Sequence, residues 1–301
     1  MAQKTSQTHE QEPLLRWNPI ATRSCPELAE RIGMPRFALP TIFRGTTALS
    51  IIGMATLVSH ASHAEPDAAL STLERTRIFG LPSAVLIPRG GDESGPPLQY
   101  DGGVITLTAA THDYVYSNDR TKNKARAEVQ VMAPIRPTDQ VNASLDLRLP
   151  TLEAKTWTIV QQWHAGGPTA KAPGEPPISL QIPAKNPGEL HVILNQQTEP
   201  GSPEVRFIDL GKLPVTPGSW HHIDEAITWG KGQQGSLKIW VDGALCIDYV
   251  GSLGYDRDNG ITFKFGVYRA ESAAEKKGIL DAFTAEYRDV RLAVRKHSSQ
   301  D

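Results

Sequence analysis

The chain is nearly without cysteine, having only Cys25 and Cys246 among 301 residues. Two cysteines support no disulfide framework, and their separation matches no metal-ligand spacing. Net charge is nearly absent too, at −2 with histidine neutral, so no nucleic-acid partner held by bulk charge is expected. The Gly-rich phosphate loop, the G-x-S-x-G elbow and the H-E-x-x-H pair are all missing, which removes the commonest nucleotide, serine-hydrolase and zinc-peptidase signatures. His221-His222 has no third ligand nearby, so neither a metal site nor any other cofactor is expected. Residues 65–301 contain no internal repeat, low-complexity tract or linker, and they read as one domain.

No apolar run reaches the about 20 residues that a bilayer span needs. The longest, Thr46–Val58, follows Arg36 and Arg44 and precedes Ser62-His63-Ala64. That order is the n-region, h-region and small-residue cleavage site of a signal peptide. Residues 1–64 are therefore expected to be an N-terminal extension plus signal peptide, with Met34 an alternative start. The mature protein is expected to begin near Glu65, to be secreted or periplasmic in a bacterium, to have no membrane partner after cleavage, and to act as a monomer.

What the chain does have is turns and short alternating runs. With 25 glycines and 23 prolines, it favours many short strands over long helices. Twelve runs read as strands: Gly103–Leu107, Ala125–Met132, Val141–Leu147, Thr156–Trp163, Ile178–Ile182, Glu189–Asn195, Val205–Leu210, His221–Thr228, Ser236–Val241, Leu245–Val250, Thr262–Arg269 and Phe283–Val294. Asp242-Gly243 between two of them is a type I′ hairpin signal. Short helices are expected near Leu70–Arg77 and Ser272–Lys277. The fold class is all-β: an antiparallel β-jelly roll of the concanavalin A-like sandwich kind. Loop 165–177, rich in Gly and Pro, fits a lid over a groove.

Side-chain alternation concentrates the chemistry on two of these strands. Gln162 and His164 share a face while Trp163 points away. Lys264, Gly266 and Tyr268 share a face while Phe263, Phe265 and Val267 point into a core. Arg126, Glu128 and Gln130 line another strand, where an Arg fork grips a carboxylate and Glu128 holds the fork. Asn195 and His191 share one more face. Trp163 and Trp240 are expected in the core. Singly, each of these residues reads as packing or as a solvated surface group. Together, a His and a Tyr on rigid strands beside Lys, Gln and Arg suit proton abstraction next to a carboxylate.

At these residues the chain resembles polysaccharide lyases of the heparin lyase I and glucuronan lyase type, with a more distant likeness to jelly-roll alginate lyases. The matching pieces are Arg126-Ala127-Glu128, Ile159–His164, Pro176–Leu180, Trp220–Ile223, Ile239–Gly243 and Lys264–Arg269. The resemblance implies a lyase that cleaves an anionic polysaccharide, glucuronan-like by preference, by β-elimination. It implies that Gln162 and Arg126 bind the uronate carboxylate, that His164 and Tyr268 exchange protons, and that Lys264 supports the groove. Glu128, Asn195, His191 and Arg269 are expected to bind substrate around them, and a nearby Lys264 is expected to favour the tyrosinate of Tyr268. One departure is Val129-Gln130, where alginate lyases usually continue Leu-Arg. Two rivals share the sandwich: a non-catalytic carbohydrate-binding module, and a glycosidase, which needs two carboxyl groups flanking the scissile bond.

Overall fold

The computed structural model describes residues 74–88, 96–133, 135–165, 173–199, 201–255, 260–271 and 281–296. The expected signal peptide and the helix near Ser272–Lys277 lie outside the described residues, as do 166–172 of the expected lid. Within them the chain forms β1 (Glu74–Ile78), β2 (Leu81–Leu86), β3 (Leu98–Asp101), β4 (Val104–Ala110), the short α1 (Ser117–Lys122), β5 (Lys124–Val131), β6 (Gln140–Arg148) and β7 (Thr158–His164). After these come β8 (Ile178–Ile182), β9 (Leu190–Gln197), β10 (Val205–Leu213), β11 (Trp220–Thr228), β12 (Gly230–Val241), β13 (Ala244–Leu253), β14 (Thr262–Ala270) and β15 (Ala282–Arg295).

All strand pairings are antiparallel and build two sheets. One has eight strands in the order β1-β2-β5-β14-β7-β8-β9-β10; the other has seven, β13-β12-β11-β6-β15-β4-β3. The chain passes repeatedly between the sheets, and their facing sides bury one continuous core that includes Leu107, Val129, Leu145, Trp163, Ile239, Phe263, Phe265 and Tyr287. This is the jelly-roll sandwich expected from the alternation. Each of the twelve expected strands is present, usually extended by a residue or two. Asp242 and Gly243 both have positive φ (51° and 80°), as a type I′ turn demands.

Two local expectations fail. Glu74–Arg77, the later part of the expected helix, belongs to the edge strand β1 paired with β2. Trp240 is half-exposed beside Lys238, because Leu237, Ile239 and Val241 take the inward positions of β12. Between β4 and β5, Arg120 and Lys122 belong to α1, which ends at Asn123 in the left-handed conformation (φ 51°).

Candidate active site

The cleft lies on the outer face of the eight-stranded sheet, over β5, β14 and β7. Strand register brings the polar side chains together in rows. Gln130, Lys264 and Gln162 are direct cross-strand neighbours; Gly266 faces Glu128; Tyr268 faces Arg126; Thr262 faces His164. Neighbouring rows on one face are about 7 Å apart. The space above them is about 1070 Å³ and is lined by Arg126, Gln162, His164, Lys264 and Tyr268, with Trp157 and Tyr116 at one end and Phe207 at another. Trp157 thus belongs to the cleft, its ring 5.3 Å edge-on to Tyr268.

Two irregularities set this arrangement. Strand β7 pairs with β8 through a bulge between Ile159 and Gln161, and β14 pairs with β7 through a second between Phe265 and Tyr268. Because the side-chain period is two, a single inserted residue decides which later residues face the cleft. Val160 and Gln161 are both buried toward the core, after which Gln162 and His164 return to the outer face. Gly266, at φ 130°, sits in the second bulge; a Cβ there would collide with the Ala127 carbonyl and the Glu128 backbone.

Arg126 is at the centre of a buried ion cluster. Its Nε and Nη2 donate to the two carboxylate oxygens of Asp119 at 2.8 and 2.7 Å, and Nη1 donates to Glu128 at 2.9 Å. Its guanidinium stacks between the rings of Tyr116 and Tyr268, 4.9 and 4.2 Å from their centroids. Burial alone would lower its pKa, but Glu128 and Asp119 outweigh burial and raise it. Glu128 holds the fork as expected and also accepts a hydrogen bond from the Gln162 amide. Asp119, which the alternation pattern does not reveal, is the stronger partner: α1 carries it back over β5, and its carboxylate also accepts the Tyr116 backbone N–H. All three guanidinium nitrogens are thus engaged by the two carboxylates.

Three groups around this cluster are uncommitted. Lys264 is 5% exposed and makes no hydrogen bond or ion pair with any described residue. Burial lowers its pKa against the pull of Glu128. The Gln162 Oε1 is a buried acceptor without a partner among the described residues. The Tyr268 hydroxyl also lacks a hydrogen bond there. Burial pushes its pKa well above the usual tyrosine value, more than Arg126 draws it down. The expected tyrosinate is therefore not the resting form; Tyr268 waits as a neutral phenol.

Other expected residues are placed differently. His164 lines the cleft at the far end of the array from Tyr268. Asn195 lines it too, but its amide donates to the Pro176 carbonyl at 2.8 Å and fastens the cleft rim. His191 is outside the lining. It lies between Asp209 (2.9 Å) and Glu189 (3.1 Å) on β9, a structural pairing at the sheet edge. Arg269 points inward, as its parity with Phe265 and Val267 requires, and pairs with Asp281 at 3.1 Å. It is not among the residues that line the cleft. Among the described residues no group of three or more His, Cys, Asp or Glu side chains has the arrangement of a metal site.

A search of curated proteins finds no match to this chain. Among solved structures, an endo-β-1,4-glucuronan lyase from the fungus Trichoderma reesei is 17% identical, covering 70% of this chain and 87% of its own, with TM-score 0.49. An alginate lyase from Pseudomonas aeruginosa is 14% identical over 70% of this chain and 97% of its own, with TM-score 0.47. The family 7 alginate lyase A1-II′, with bound substrate, is 13% identical over 71% and 93%, with TM-score 0.48. The polysaccharide lyase family model matches residues 88–284, from just past β2 into β15 and across every residue of the cleft, and the chain belongs to that family.

Proposed function

We propose that the protein cleaves a uronate polymer of the glucuronan type by β-elimination in this cleft. The observation that carries the reading is the set of uncommitted groups on adjacent strands, namely the Lys264 ammonium, the Gln162 carbonyl oxygen and the Tyr268 phenol, around an Arg126 that is already neutralised. A glycosidase requires two available carboxyl groups, whereas the buried carboxylates here, Asp119 and Glu128, are both tied to Arg126. A lectin has no need to bury an unpaired ammonium, which is costly.

The reaction removes the C5 proton of a uronate, breaks the C4–O bond and forms a C4=C5 double bond. The neighbouring carboxylate is already negative, so the C5 proton is very weakly acidic. Lys264 meets that carboxylate, with the second amide hydrogen of Gln162 beside it. Both donors are fixed before charge develops, and in a dry site such donors act strongly. Tyr268 carries the proton destined for the leaving O4. On a glucuronate unit the C5 hydrogen and O4 share one side of the ring. Tyr268 can then give its proton to O4 and take the C5 proton onto the same oxygen, which restores the phenol. Gln130, opposite Lys264, is neutral where the alginate type continues with Arg, and this supports a glucuronate-type substrate.

A panel of polyuronates assayed for ultraviolet absorbance of the new double bond tests the reading. Glucuronan should give the fastest rise, and no rise on any polyuronate would refute the lyase assignment. Export belongs to the same proposal. It rests on the Thr46–Val58 run and Ser62-His63-Ala64, and N-terminal sequencing of the protein from periplasm or medium should begin near Glu65.

A further inference from the structure

The two bulges that aim the cleft are joined by a hydroxyl from the other sheet. Tyr287, on β15, is fully buried, with its ring packed 5.1 Å from that of Phe265. Its Oη accepts the Gly266 N–H at 3.1 Å and donates to the Val160 carbonyl at 2.6 Å, with the Gly266 carbonyl 3.2 Å away as an alternative acceptor. Val160 lies in the β7 bulge and Gly266 in the β14 bulge. A bulge leaves backbone groups without ladder partners, and in a dry core an unpaired N–H or C=O is expensive. One phenol satisfies both.

We infer that Tyr287 is a positioning residue for the cleft: its hydroxyl locks the paired bulges that turn Gln162 toward Lys264. The residue touches no substrate and stands on a sheet that contributes nothing to the cleft lining. Its action runs through the backbone at Val160 and Gly266. These lie two residues from Gln162, Lys264 and Tyr268, and a one-residue change in register turns those side chains to the other face. Gly266 completes the device, because only a residue without Cβ fits against Ala127 and Glu128 at that φ. The inference rests on the lyase reading of the cleft.

The test is Tyr287→Phe, which keeps the ring and deletes the hydroxyl. Misplacement of reacting groups by about 1 Å costs on the order of 10²-fold in rate. The variant should therefore lose roughly 10- to 100-fold in kcat, with KM little changed, at a temperature where it is fully folded. Hydrogen exchange should rise in peptides covering 158–164 and 262–270 and stay unchanged in β11 and β12. Ile239→Ala, a core truncation in β12, three strands from the β15 that carries Tyr287, is the control: it should lower Tm yet keep kcat. Gly266→Ala enters the same bulge from the cleft side and should reproduce the kcat loss. If Tyr287→Phe keeps kcat within about twofold of wild type, or loses it only as Ile239→Ala does, the positioning role is overturned. Failure of both bulge variants to fold would assign the bulges to folding alone and also overturn it. A wild type inactive on every polyuronate sinks the lyase reading instead, and the exchange pattern then decides whether Tyr287 holds the bulges.

Discussion

The Arg126 guanidinium carbon lies 4.2 Å from the centre of the Tyr268 ring while its nitrogens are held by Asp119 and Glu128. The ion cluster and the Tyr268 phenol are thus one packed unit, and on the proposed mechanism Arg126 acts by holding Tyr268 and Glu128 in place.

Arg126→Ala should first be a stability lesion. It leaves the buried carboxylates of Asp119 and Glu128 without their counterion, and breaking a buried pair in this way costs about 3–5 kcal/mol. Arg126→Lys should recover only part of the loss, since a point charge cannot serve two carboxylates and stack between two rings. Urea unfolding measures both. An Ala variant as stable as wild type would show that the cluster contributes nothing to the fold.

Lys264→Gln should behave in the opposite way. Lys264 makes no hydrogen bond to a described residue and is penalised by burial, so its removal should leave Tm equal or higher. Turnover should fall by about 10²–10³, the usual cost of losing one donor aimed at developing charge. On the proposed mechanism Lys264 supplies the positive charge at the carboxylate, so exhaustive chelation should leave wild-type activity intact. A variant with normal kcat, or activity lost on chelation and restored by one divalent metal, would reassign carboxylate capture.

Glu225 on β11 is buried in the core and accepts the Trp163 indole N–H at 2.6 Å, directly beneath the strand that carries Gln162 and His164. Burial, opposed by that hydrogen bond, raises its pKa from 4.5 to about 7. A raised folded-state pKa means the native state binds the proton more tightly. The associated stability is complete below about pH 4.5 and is lost as pH rises through about 7. Wild type should therefore lose on the order of 3 kcal/mol across that window from this group. Glu225→Gln, which can still accept from Trp163, should lose that much less. Parallel stability–pH curves for the two proteins would show that Glu225 titrates normally.

Much of this was legible in the chain because alternation is a local property. The inward set Phe263, Phe265 and Val267 and the outward set Lys264 and Tyr268 follow from period two, and so do Gln162 and His164 once their strand is found. Parity also assigns Arg269 inward. Its charge argued the other way only because Asp281, its partner, is brought beside it by the fold. Asp119 was hidden for a similar reason, since its helix interrupts the alternation seven residues before Arg126. His191 has the correct parity but lies too near the sheet edge, where Glu189 and Asp209 flank it. The bulges at Val160 and Gly266 leave no signal beyond one glycine, and β1 to β3 are short pieces, the last two bounded by Pro and Gly. The resting state of Tyr268 was misjudged because burial, which depends on the assembled cleft, outweighs a neighbouring cation.

The last prediction separates the two proton carriers by substrate stereochemistry. In glucuronate and mannuronate units the C5 hydrogen and O4 lie on the same side of the ring, so one residue serves for both transfers. In guluronate and iduronate units they lie on opposite sides, and two residues are needed. Tyr268 is a neutral phenol beside Arg126, while His164 stands at the other end of the array, three rows away. Tyr268→Phe should therefore abolish turnover on every substrate, because no other group protonates O4. It should fold normally, since the lost hydroxyl bonds to no described residue. His164→Ala should keep measurable turnover on a glucuronate-only polymer and lose it on a guluronate-rich one, where His164 alone faces the C5 proton. Turnover of both folded variants on both polymers, followed by ultraviolet absorbance, gives the answer. Equal inactivity of the two variants on glucuronan, with a wild type that prefers guluronate, would make His164 the general base and Tyr268 the acid in an anti-elimination.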